Sequence, residues 1–150
     1  MRAVSGRRHK REAPHLVVLL SRGLLEYRAA IRGVLAERGF DDVPRSGSWV
    51  LASLSEAPAT VGELARTVRS TKQALSRLSD VLVERGYLRR SADPADHRLV
   101  RLSLTARGRL AAEAVFAGIA GVDRSITLRA GKAALSQAQQ ALLIAVGDAR

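Results

Sequence analysis

Cysteine is absent from the 150 residues. Disulfides, thiolate metal sites and thiol-based redox sensing are therefore excluded, while cysteine usage leaves the compartment undecided. Aromatic residues make up 3% of the chain, with one Trp, two Tyr and two Phe. A core this poor in rings has to be aliphatic, so helix packing is expected over an aromatic-rich sheet. The histidines His9, His15 and His97 lack metal-ligand spacing and read as surface residues. No apolar run approaches the ~20 residues of a membrane-spanning helix. Leu16-Val-Val-Leu-Leu20 follows a basic stretch, as in a signal peptide, but Ser21-Arg22 interrupts it and no small-residue cleavage site follows. A cytoplasmic protein is expected. No nucleophile–base pair, metal cluster or phosphate-binding loop is visible, so neither an enzyme nor a cofactor is expected.

What the chain has in excess is positive charge, +11 overall. Its placement matters more than its size. Residues 1–15 carry five Lys/Arg against one Glu, residues 16–68 carry six of each sign, and residues 69–109 carry ten Lys/Arg against four Asp/Glu. Clustered positive charge is the electrostatic footprint of a nucleic-acid binder. A merely solvated surface would spread it more evenly.

Within residues 69–109, Thr71 to Gly86 reads as a helix with a clean start and stop. Thr71 suits an N-cap and Gly86 a left-handed stop. Between them Leu75, Leu78 and Leu82 fall on one face with Val81 beside them. Lys72, Gln73, Ser76 and Arg77 fall on the other, in the first two turns. Cations there oppose the helix dipole unless an anion faces them, and Gln and Arg pair bidentately with base edges in a major groove. The stretch reads as the recognition helix of a helix-turn-helix, or else as an amphipathic helix with a solvated face. Its neighbour favours the first: Thr60-Val-Gly-Glu63 is a capping box opening a short helix through Leu64, Ala65 and Val68, and Arg69-Ser70 make the turn between them.

The rest of the chain falls around this pair. Met1 to Glu12 is polar and aperiodic, a basic flexible arm over 1–13. Pro14 suits a first turn, and Leu16, Leu20, Leu24, Tyr27, Ile31 and Leu35 recur at helical steps to Gly39. Gly23 and Gly33 inside that helix are candidates for close approach of another helix. Asp41-Asp-Val-Pro44 is a turn, and Ser46 or Ser48 starts a short helix through Trp49 and Leu54. After Gly86 the period changes. Tyr87 to Ser91 is extended, Asp93-Pro-Ala-Asp-His-Arg98 has turn chemistry, and Val100, Leu102 and Leu104 alternate with polar residues. This is a β-hairpin whose tip presents His97 and Arg98, with Asp96 placed to orient the arginine. A salt-bridged surface turn is the competing reading. Thr105 caps a further helix lined by Ala111, Val115, Gly118, Val122 and Ile126. It breaks at Leu128 to Gly131, and Ser136-Gln-Ala-Gln139 is a capping-box candidate opening the last helix. The expected fold is mainly α with a small β-hairpin wing. Its parts are an N-terminal dimerisation helix (14–40), a winged helix-turn-helix (41–104) and C-terminal dimerisation helices (105–150).

The layout, and above all Asp93-Pro-Ala-Asp-His-Arg98 followed by Leu102-Ser-Leu-Thr-Ala-Arg-Gly108, resembles the MarR family of winged-helix transcription regulators and its DPxDxR…LTxxG signature. Thr71 to Arg77 and Glu84-Arg-Gly86 are similar to the family's recognition-helix region. The resemblance implies a homodimer whose two recognition helices enter successive major grooves of a pseudo-palindromic operator. It maps the wing arginine onto Arg98, with His97 where a second arginine is common. It also implies a small aromatic or anionic ligand between the dimer helices and the DNA-binding lobe. Tyr27, Arg45 and Trp49 are the candidates to line that site, with core packing the competing reading for Tyr27 and Trp49.

The function expected is thus sequence-specific binding of double-stranded DNA by a homodimeric, ligand-responsive repressor. Gln73, Ser76 and Arg77 are candidates for base edges. Thr71, Lys72, His97, Arg98 and Arg101 are candidates for phosphate or minor-groove contacts. A basic winged-helix module for RNA or the ribosome, or for an acidic protein partner, is the alternative. Scarce aromatics weigh against sequence-specific RNA readout, which stacks bases on rings.

Overall fold

A computed structural model describes residues 14–147. The basic arm expected over 1–13 lies outside the described residues. The elements run α1 (Leu16–Glu37), α2 (Gly47–Leu54), β1 (Ala59–Thr60), α3 (Val61–Thr67), α4 (Lys72–Glu84), β2 (Leu88–Ala92), β3 (Val100–Leu104), α5 (Ala106–Ala130) and α6 (Lys132–Val146). No helix among the described residues is long and apolar enough to cross a membrane.

Local chemistry sets most boundaries. At α3 the capping box closes in both directions: Glu63 N–H donates to Thr60 Oγ1 at 3.2 Å and Thr60 N–H donates to Glu63 Oε2 at 2.7 Å. The Thr60 N–H, and then the Thr60 hydroxyl, hold the Glu63 carboxyl below its ordinary range. Thr71 Oγ1 accepts from Ala74 N–H at 3.1 Å to open α4, and Thr105 Oγ1 accepts from Gly108 N–H at 3.0 Å to open α5. Ser46 stands at the N-cap of α2, but its hydroxyl makes no cap bond. The last helix starts earlier than the Ser136 capping box predicts. Gly131, at φ +88°, both ends α5 and precedes α6, so the corner falls at Gly131 and Ser136 lies within the helix.

The sheet gains a strand that the sequence reading leaves out. β1 joins the hairpin in the order β1-β3-β2, antiparallel throughout, with Ala59 opposite Leu102 and Leu88 opposite Leu104. The wing is therefore anchored on its β3 side to the segment that enters the helix-turn-helix.

Leu51, Leu64, Leu75, Leu82, Leu88 and Leu102 are fully buried together with Val50, Val115 and Tyr87. This aliphatic core joins α2, α3, α4, the sheet and the first half of α5. α1 packs chiefly on α5. The close approach there is made by Gly118, not by Gly23 or Gly33, which meet nothing within 4 Å. A Cβ on Gly118 would lie 2.6 Å from the Ile31 Cα. Gly118→Ala is thus expected to force the two helices apart and to cost about 1–3 kcal/mol, as overpacking does. Urea unfolding checks this; an unchanged midpoint would contradict the packing described.

Candidate nucleic-acid interface

α4 is seated by its apolar side. Leu75 and Leu82 are buried, Leu78 is half-buried, and Tyr87 N–H donates to the Leu82 carbonyl at 2.9 Å to close the helix end. Seating that face leaves Thr71, Lys72, Gln73 and Arg77 exposed and Ser76 half-exposed. The side chains of Lys72, Gln73 and Arg77 make no hydrogen bond or ion pair among the described residues. The Thr71 hydroxyl is engaged as a cap and keeps only its proton to offer.

The wing is braced at Asp93, which is buried with both carboxylate oxygens engaged. Asp93 Oδ1 accepts from the Ala95 and Asp96 N–H groups at 2.7 and 3.2 Å, and Oδ2 pairs with Arg101. The guanidinium of Arg101, and then the two backbone donors, hold the Asp93 carboxyl below its ordinary range. Arg101 also donates to the Pro58 carbonyl at 2.9 Å, which ties the wing to the approach of β1. The structure therefore gives Arg101 a place inside the wing's base, apart from the exposed tip. The tip itself presents His97 and Arg98, both exposed. Asp96 Oδ1 accepts from the Arg98 backbone N–H at 3.0 Å, so Asp96 fixes the chain at Arg98 through the backbone and does not engage the guanidinium.

Three further cations of the basic segment are engaged internally. Arg90 pairs with Asp80, Arg107 pairs with Asp42 at 3.0 Å, and Arg89 donates to Ser103 directly across the strands at 3.0 Å. The sequence gives no direct sign of which arginines are engaged, because each partner comes from another element.

The three candidates for a small-molecule site do not come together. Arg45 and Trp49 line a cavity of about 400 Å³ between α1 and the segment leading into α2, with Arg28, Arg32, Leu25 and Ser48. Tyr27 is not among its walls. Its hydroxyl donates to Asp123 on α5, and burial, with Asp123 adding to it, pushes the phenol up to about 12. Arg28 and Arg32 were missed as lining residues. Their spacing of four, on the face that also carries Leu25, is the signal that would have found them.

Short helices meeting at a tight turn, the second with an open polar face, and a hairpin hung behind it define a winged helix-turn-helix. A MarR family model matches residues 41–99, the stretch that holds the helix-turn-helix and most of the wing. No curated protein sequence matches the chain. Among solved structures it is similar to the reduced form of MarR from E. coli, at 22% identity over 91% of this chain and 99% of that one, TM-score 0.72. It is similar to the transcriptional repressor CouR bound to a 23-mer DNA duplex, at 23% identity over 87% and 92%, TM-score 0.69. It is also similar to a MarR family protein of Mycobacterium tuberculosis in complex with p-aminosalicylic acid, at 26% identity over 90% and 100%, TM-score 0.62.

Asp93→Ala is expected to loosen the wing without unfolding the core: amides of residues 95–99 should exchange faster while those of α4 keep their protection. A depressed carboxyl contributes stability above its unfolded value and loses it as pH falls through the folded one. The same loosening should therefore appear in the wild-type wing only below the ordinary value of 3.8. Amide exchange across an acid series reads both, and a wing indifferent to Asp93 would contradict the account.

Proposed function

We propose that this chain is a sequence-specific double-stranded DNA-binding transcriptional regulator, acting in the cytoplasm as a homodimeric repressor on a pseudo-palindromic operator. The observation that carries the proposal is the polar face of α4: Lys72, Gln73 and Arg77 are presented to solvent, without side-chain partners among the described residues, by a helix whose other face is buried in the core. Gln73, Ser76 and Arg77 are assigned to base edges in the major groove. Lys72, with the Thr71 hydroxyl as donor, is assigned to phosphate, and Arg98 with His97 to the flanking minor groove or backbone. Arg101 holds the wing in shape for them.

The dimer is supported by apolar surface at the chain's two ends. Leu16, Val17 and Leu25 on α1 are 64%, 67% and 61% exposed, Ile144 on α6 is 84% exposed, and α6 has no buried residue. Apolar surface of this extent marks an association face. Residues 14–40 and 105–150 supply it, and residues 41–104 read DNA. Selection of bound duplexes from a random pool should return an inverted repeat with half-sites about 34–36 Å apart. Arg77→Ala should cost about 1–3 kcal/mol and relax one base position. Lys72→Ala should weaken all sequences alike and flatten the salt dependence. Recovery of an unrelated set of sequences, or of single half-sites, would overturn the reading.

Ligand response is assigned to the cavity beside Trp49. Arg28, Arg32 and Arg45 make it cationic, Leu25, Ile31 and Pro44 give it apolar walls, and the chemistry suits a small aromatic acid. The Mycobacterium tuberculosis relative was solved with such an acid. Trp49, the chain's one tryptophan, is its own reporter. Salicylate is expected to quench its fluorescence saturably and to release DNA, and Arg45→Ala to weaken both. Quenching that persists unchanged in Arg45→Ala would contradict the assignment.

A further inference from the structure

Three helices of this chain end in the same way. At the end of α1, Gly39 N–H donates to the Ala36 carbonyl at 3.0 Å and Phe40 N–H to Leu35 at 2.8 Å. At the end of α4, Gly86 N–H donates to Val83 at 2.9 Å and Tyr87 N–H to Leu82 at 2.9 Å. At the end of α3, Arg69 N–H donates to Arg66 at 3.3 Å and Ser70 N–H to Ala65 at 2.9 Å. Each is a Schellman motif, whose turning residue has to be left-handed. Two of the three turning residues are glycines, at φ +76° and +74°; the third is Arg69, at φ +51°, the one non-glycine residue with positive φ among those described. A Cβ in that conformation crowds the following carbonyl and is unfavourable.

An arginine occupies this corner where glycine serves in the other two. Its side chain repays the strain with no contact inside the fold: Arg69 is exposed, and no hydrogen bond or ion pair to its guanidinium is present among the described residues. It stands in the turn of the helix-turn-helix, two residues before the Thr71 cap of α4. We infer that Arg69 is a further DNA-contacting residue, gripping a backbone phosphate at the edge of the groove that α4 enters. The inference rests on the DNA-binding reading above. The left-handed turn sets the direction in which the side chain leaves, so the contact is tied to the geometry of α3 and α4 and is independent of base sequence.

Arg69→Gly separates the two roles of the residue. Glycine relieves the strain while adding freedom to the unfolded chain. The variant is expected to melt at the wild-type temperature or up to roughly 4 °C above it. On the duplex returned by selection, the slope of log affinity against log salt should shrink in magnitude by about 1, with discrimination against scrambled sequence unchanged. Arg69→Lys should keep the wild-type slope. If Arg69→Gly binds with the wild-type slope, or if it melts well below wild type, the inference is wrong. If the wild-type chain binds no duplex, the DNA reading fails and takes this with it; a wild-type chain that binds and an Arg69→Gly that binds identically sinks the inference alone.

Discussion

Tyr87 is the residue through which the parts of this chain are joined. It is fully buried, one residue past the stop of α4 and one before β2. Its carbonyl accepts from the Thr105 N–H at 3.0 Å, and the Thr105 hydroxyl donates to the neighbouring Gly86 carbonyl at 2.6 Å, so the start of α5 hangs from this corner. Gly108 is required beside the Tyr87 carbonyl, because any Cβ there would collide with the oxygen. Its ring meets Phe40 edge-on at 6.2 Å and carries the Arg107 guanidinium 4.6 Å above its centroid. Its hydroxyl donates to Asp42, which also accepts from Arg107. Burial, then Asp42, raises the phenol, while the Tyr87 hydroxyl and Arg107 hold the Asp42 carboxyl low. Backbone and side chain of this one residue thus fix the end of α4, the root of the wing, the first turn of the long C-terminal helix and the loop after α1. In an aliphatic core, this aromatic residue supplies the polar handle that orients the elements against one another.

That joint gives the proposed function its mechanical basis. A reader of duplex DNA has to hold its helix at a fixed angle to whatever relates it to a second copy. Here α5, which packs along α1, has its cap residue Thr105 bonded to the carbonyl of Tyr87, whose N–H closes the end of α4. The cavity beside Trp49 lies between α1 and the segment leading into α2. Cations divide along the same lines. Arg90, Arg101 and Arg107 are held by Asp80, Asp93 and Asp42 and build the scaffold, while the side chains of Lys72, Arg77 and Arg98 have no ion pair among the described residues.

Much of this was legible in the sequence because it is local. Thr71 to Gly86, the Thr60–Glu63 box, the wing signature and the Thr105 cap each announce themselves within a few residues. What was not legible depends on partners far along the chain. Arg101 looks like its neighbours until the fold puts Asp93 beside it. Tyr27 looks like a pocket residue until Asp123, 96 positions away, takes its hydroxyl. β1 is two residues long, too short to show alternation, and exists because β3 offers it an edge. Gly118 and Gly23 are alike in sequence, and only the packing of α1 on α5 tells them apart. Ser136 failed as a start signal because Gly131 had already broken the chain.

The central claim is that the open face of α4 and the wing tip are where the duplex lies. Amide shift mapping tests it most directly: the isotope-labelled protein is titrated with its selected duplex, and perturbations are followed residue by residue. The account predicts that they concentrate at Thr71 to Arg77 and at Ala95 to Arg98, and that they fade along α6. Perturbations centred on α6 or on the cavity beside Trp49, with the first two turns of α4 unmoved, would contradict it.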